Sequence, residues 1–121
     1  MTAERIFKST DFMQPADGEP IRSVVTESPD AVVVAWHVQP GQRIAAHVHP
    51  MGQDTWTILS GTGDYQVEAT GECRTIVAGD VVVAHVACVH GVYNSGQEPL
   101  RFISVVSPGN AGYELVSGPT S

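Results

Sequence analysis

His47 and His49, separated by one valine, are the residues of this chain best placed to do chemistry together. Along an extended strand, side chains two apart leave the same side, so both imidazoles can face one point. Asp54 follows the short turn-forming run Pro50-Met51-Gly52-Gln53, and His90 comes later in the chain after a strand-turn unit. Neutral imidazole suits first-row transition ions, and three histidines with one carboxylate leave positions open for water or a substrate. His47, His49, Asp54 and His90 are therefore the expected ligands of one divalent transition metal ion per chain. The nitrogen and oxygen donors, without thiolate, point to Fe, Mn, Ni, Co, Cu or Zn. Any one of these histidines alone reads as an ordinary polar residue; the same-side pair, the carboxylate and the third ring together carry the metal reading.

Separate strands must converge on an interior point to bring these residues together, which is what a small β-barrel does. Turn signals recur at short intervals, among them Ser28-Pro29-Asp30, Gln39-Pro40-Gly41, Ser60 to Asp64, Ala78-Gly79-Asp80, Asn94 to Gln97 and Ser107-Pro108-Gly109. Between them lie β-branched and aromatic runs of strand length. The expected strands are Ile21 to Thr26, Ala31 to Val38, Thr55 to Leu59, Tyr65 to Glu68, Thr75 to Val77, Val81 to Ala84, Gly91 to Tyr93 and Leu100 to Val106. No stretch reads as helix. Residues 1–20 form an irregular arm, 21–108 one barrel domain, and 109–121 a polar tail whose last residues are expected to move freely.

The chain has 121 residues, 42% apolar and 16% charged, enough for a real core and against global disorder. Thirteen acidic residues against six basic ones give a formal charge of −7. The basic residues Arg5, Lys8, Arg22, Arg43, Arg74 and Arg101 are scattered singly, so no patch for a phosphate backbone exists and nucleic acid is not an expected partner. No apolar run reaches membrane-spanning length, and the N-terminal residues lack the order of a signal peptide, so a cytoplasmic location is expected. Cys73 and Cys88 are expected to be reduced thiols.

The stretch from Gly41 through His47, His49 and Asp54 to Gly61 resembles the first cupin motif, Gly, five residues, His-x-His, three or four residues, Glu, six residues, Gly. Every spacing agrees, with Asp54 at the Glu position. Gly79, His90 and Asn94 match the second cupin motif, while His85 stands where the family has Pro and Ala87 where it has Gly. The resemblance implies an all-β, double-stranded β-helix barrel of the jelly-roll kind, with His47, His49, the acidic position and His90 as metal ligands. Aspartate is one methylene shorter than glutamate, so Asp54 can ligate directly, bind through water, or only orient other ligands. Gln53 is expected to point away from Asp54 by strand alternation. Cys88 shares parity with His90 if that stretch is extended and would then face the pocket. His85 reads as a surface imidazole before it reads as a base, and Trp36, Trp56, Tyr93 and Phe102 as core or pocket wall.

The same barrel resembles enzymes, sugar binders and regulators alike, so fold does not settle function. The leading expectation is a metal-dependent enzyme on a small organic substrate, with dioxygenase-like oxidation or cleavage of an enediol-like or phenolic compound as reaction type and Asp54 as a candidate proton acceptor. Isomerisation would use the same Lewis acidity. The alternative is a cupin that binds or senses a small molecule without turning it over. A homodimer is expected, because exposed edge strands of a small barrel gain from being covered.

Overall fold

The valine-rich runs become strands of two antiparallel sheets in the computed structural model, which describes residues 4–116. In chain order these are β1 (Ser23–Glu27), β2 (Val32–Val38), β3 (Arg43–Val48), β4 (Gln53–Ser60), β5 (Thr62–Gln66), β6 (Cys73–Val77), β7 (Val81–Ala84), β8 (His90–Tyr93), β9 (Leu100–Ser107) and β10 (Glu114–Leu115). One sheet has the order β1-β2-β9-β4-β7 and the other β10-β3-β8-β5-β6. Helical structure among the described residues is limited to one 3-10 turn at Ser9–Asp11. All eight expected runs overlap a strand. Two strands lay outside the expectation: β3, read only as an extended approach to the histidines, and β10, inside the supposed tail. The expected mobility of the last residues falls outside the described residues.

Strict alternation along β4 and β9 shows how sequence becomes core. On β9, Leu100, Phe102, Ser104 and Val106 are buried while their neighbours are more exposed; on β4, Asp54, Trp56 and Ile58 are buried between exposed or half-buried residues. One end of the barrel is packed solid by Val38, Trp56, Ile58, Tyr65, Ile76, Val92, Leu100 and Phe102. Trp56 stacks on Phe102 with ring centroids 4.2 Å apart and meets Tyr65 edge-on at 5.2 Å. Aromatic rings supply large buried areas in preferred offset or edge-on geometry, so this trio is the rigid floor of the barrel. Asn94, fully buried at its rim, donates from Nδ2 to the carbonyls of Val38 and Glu98 and accepts from the Gly96 amide.

The other half of the interior is shaped by a bulge in β3. Ile44 pairs with Val92 and His47 with His90, so Ala45 and Ala46 together face the single residue Gly91. An extra residue shifts side-chain parity by one. Ile44 therefore lines the interior before the bulge, and His47 and His49 are buried after it. Gly91 permits this: a Cβ there would stand 2.8 Å from the Ile44 carbonyl oxygen and 3.0 Å from Ala46 main-chain atoms. Replacing Gly91 with alanine should destabilise the fold by about 1–3 kcal/mol, since rigid backbone rather than a flexible side chain blocks the methyl. Urea unfolding of Gly91→Ala measures this; an unchanged midpoint would show that the bulge is not under this constraint.

Candidate metal centre

Three strand ends bring the four predicted residues to one place. His47 lies next to the end of β3, after the bulge, His49 follows the strand, Asp54 sits at the start of β4, and His90 opens β8. One donor atom from each lies within 4.8 Å of every other, and all four side chains are buried. Gln53 points outward to solvent, as alternation requires.

Each ring is held by its Nδ1. His47 bonds the Ala45 carbonyl at 2.8 Å, His49 the Gly112 carbonyl at 2.7 Å, and His90 the Cys88 carbonyl at 3.1 Å. A carbonyl oxygen can only accept, so in each ring Nδ1 carries the hydrogen and, in the neutral form, Nε2 presents a lone pair. The fourth group is equally fixed. Ser104 Oγ donates a short hydrogen bond to Asp54 Oδ1, which leaves Oδ2 facing His90 Nε2 at 3.0 Å and His49 Nε2 at 3.3 Å.

These contacts put acceptors against acceptors. With the Nδ1 hydrogens already used, nothing lies between Oδ2 and a neutral ring's Nε2, and His49 Nε2 is buried without a hydrogen-bond partner. A positive charge must compensate, either a proton on a ring or a metal ion among the four donors. The spacing fits the ion: two donors each about 2.1 Å from one centre and at right angles to each other lie about 3.0 Å apart. The carbonyl anchors match the outer hydrogen bonds that fix tautomer and aim at metal-ligating histidines. The residues present thus suit a divalent transition ion held by His47, His49, Asp54 and His90.

Over this cluster opens a cavity of about 510 Å³, walled by Val32, Val34, Trp36, Ile44, Trp56 and Val106. Among the described residues, Arg22 is the one Lys or Arg lining it, and Asp54 the one carboxylate. Its remaining wall is the segment after β9. Ala111 is buried and its carbonyl accepts from the Met51 amide; Tyr113 lies against His47 with ring centroids 5.0 Å apart; β10 pairs with β3. The supposed tail is therefore part of the site. Ser104 and Gly112 were not anticipated: Ser104 could have been found from its inward parity on a valine-rich strand, but nothing in the sequence marks Gly112. Cys88 does not face the pocket, because Val86 and Ala87 form a turn, closed by the Cys88 amide on the His85 carbonyl and with Ala87 at φ 61°, rather than an extended run. Its thiol is exposed and free, as is that of Cys73, and its carbonyl is the part that serves the site. His85 is exposed and outside the cluster.

Crowding separates the titrations of these groups. Burial, helped by the neighbouring His90, pulls His47 from 6.5 down to about 4. Burial also disfavours charge on His49, but the facing Asp54 carboxylate, which a protonated Nε2 would bond, and the Gly112 carbonyl outweigh it and leave that imidazole raised. Burial would raise Asp54, yet bonds with His49, His90 and Ser104 hold it well below the ordinary carboxylate range. A group whose folded pKa is lowered loses stability as pH falls from its unfolded value toward its folded one. For the metal-free protein, His47 places that loss between about 6.5 and about 4. His49 already contributes fully below 6.5, and Asp54 acts only below the ordinary carboxylate range. Urea unfolding across this window should show stability falling by up to about 1.4 kcal/mol per pH unit, the one-proton limit. His47→Gln should flatten that slope, and an equal slope in the variant would contradict the assignment.

A cupin-domain family model matches residues 34–106. No curated protein matches the chain. Among solved structures, a conserved Klebsiella pneumoniae protein with a double-stranded β-helix domain is 52% identical, with a TM-score of 0.91 over 95% of this chain and 99% of its own. A Thermus thermophilus protein shares the fold at 21% identity, with a TM-score of 0.78 over 85% of this chain and 96% of its own. Oxalate decarboxylase aligns at 25% identity and a TM-score of 0.70 over 84% of this chain, which spans only 29% of that protein. The two spaced motifs, the two-sheet barrel and the match over most of its strands agree, and the chain belongs to the cupin family.

Proposed function

We propose that this cupin is a metal-dependent enzyme acting on a small organic molecule with an acidic oxygen donor, with oxygen-dependent oxidation or cleavage as its leading reaction type. The observation that carries the reading is the convergence of three Nδ1-anchored imidazoles and one Ser104-anchored carboxylate on the floor of a largely apolar cavity. A bound divalent ion would supply Lewis acidity and, if redox-active, a route for electrons to dioxygen.

The chain's own residues narrow the substrate. Val32, Val34, Trp36 and Val106 exclude water and favour a flat or apolar body. Arg22 gives that body's anionic group a counter-charge in an otherwise acidic protein. Asp54 is committed at both oxygens, so it acts as a ligand more readily than as a mobile base, and the lining offers no second carboxylate among the described residues. A substrate that ionises easily, such as an enediol, phenol or keto acid, needs no separate base. The likeness to oxalate decarboxylase, a protein named for a small acid rich in oxygen donors, supports the same class. The lack of a spare base equally favours the second reading, a cupin that binds such a molecule without converting it.

Elemental analysis of protein purified without added metal should find about one transition ion per chain, and His47→Ala and His90→Ala should lose it. A wild type that neither carries nor takes up such an ion refutes the metal reading. Oxygen uptake with a panel of catechols and diketones separates the two functions: uptake by the loaded protein supports the enzyme, and tight binding without uptake supports the binder.

We also propose a homodimer, with copies meeting over the exposed Val81 and Val83 of edge strand β7 and the neighbouring Leu59. Light scattering after size exclusion should give twice the mass of the chain, 12.8 kDa, and a monomer at high concentration would count against it.

A further inference from the structure

We infer that the metal pocket has a second compartment, which takes the far end of an elongated ligand whose head is an oxygen donor at the metal; this rests on the metal reading above. A second hollow of about 460 Å³ adjoins the first, bounded by Glu19 and Pro20 of the arm, Gln42 and Arg43 before and on β3, and Leu115 of β10. Trp36, Ile44 and Tyr113 line both hollows. The partition is thus made of side chains, two of them aromatic.

Those three side chains differ in how firmly they are held. Trp36 is half-buried and stacked over Phe102 at 6.3 Å, and Ile44 packs against the core. Tyr113 is 58% exposed, and its hydroxyl has no hydrogen bond among the described residues. Its main chain is fixed on one side by the bond from His49 to Gly112 and on the other by β10 pairing with β3, so the ring is the part able to turn. A flat group passing between Trp36 and Tyr113 would replace solvent on both rings.

The outer hollow has a different character from the inner one. Gln42 is spent on shaping its wall, donating to the Ala16 carbonyl at 2.6 Å and accepting from the Gln39 amide at 2.9 Å. Glu19 brings a carboxylate to its rim, while the Arg43 guanidinium lies over the Tyr93 ring, 4.9 Å from its centroid. A carboxylate at the rim repels an anion and accepts a hydrogen bond from a hydroxyl or amide. The ligand class is therefore an oxygen-donor head, a flat apolar middle and an uncharged hydrogen-bonding end such as a hydroxyl or amide.

Three hydroxamate probes test this on the cobalt-loaded protein by titration calorimetry, with the visible cobalt spectrum recorded first. Acetohydroxamate carries only the head, benzohydroxamate adds one ring, and a para-hydroxylated biphenyl hydroxamate spans both hollows. Each extension should tighten binding about tenfold. Glu19→Trp and Pro20→Trp fill the outer hollow from the arm, away from the strands that carry the four metal-binding side chains, and should remove the second gain while leaving the first. If the cobalt spectrum is normal but the biphenyl probe binds no better than benzohydroxamate, or keeps its gain in both variants, the second compartment is refuted and the metal site stands. If the cobalt spectrum never appears, the metal reading falls and the compartment's ligand class falls with it.

Discussion

A main-chain carbonyl accepts hydrogen bonds and cannot donate them, and the carbonyls of Ala45, Cys88 and Gly112 hold the three clustered histidine rings by Nδ1. Much else in the molecule follows from that constraint. It fixes three tautomers at once, turns three Nε2 atoms toward one point, and sets two of them against an acceptor oxygen of Asp54. An arrangement of buried acceptors facing each other is costly unless a cation satisfies them. The site is built to hold positive charge, and the fold spends a bulge, a glycine and a returning C-terminal segment to build it.

The barrel divides its interior between stability and chemistry. At one end, stacked aromatic and branched side chains fill the space, and at the other a cavity is left open over the polar cluster. Trp56 belongs to both halves, since it packs on Phe102 and Tyr65 and also lines the cavity floor. Ser104 shows the same economy on β9. It occupies an inward position between Phe102 and Val106, where an apolar residue would pack well, and spends it on orienting Asp54.

Much of this was legible in the sequence because it rests on short-range rules. Period-two alternation places His47 with His49 and sets Gln53 against Asp54, and motif spacing adds His90. What escaped depended on contacts between distant segments or on local backbone irregularity. The bulge at Ala45 and Ala46 changes parity only because β8 presents Gly91 opposite it. Cys88 was expected to face inward if its stretch were extended, and the turn with Ala87 at positive φ overturned that parity. The segment after Gly109 has the composition of a tail, yet it packs through Ala111 and pairs through β10, for which its residue types give no signal.

The three anchors are not equivalent in time. His47 and His90 each find their carbonyl two residues back along the chain, within a short stretch that can make the contact as soon as it is synthesised. His49 takes its carbonyl from Gly112, 63 residues further on. A chain growing from the ribosome therefore presents its first histidine pair long before the second member of that pair has the partner that sets its tautomer. Capture of an ion with all three rings aligned is reserved for a barrel whose last strand has already docked.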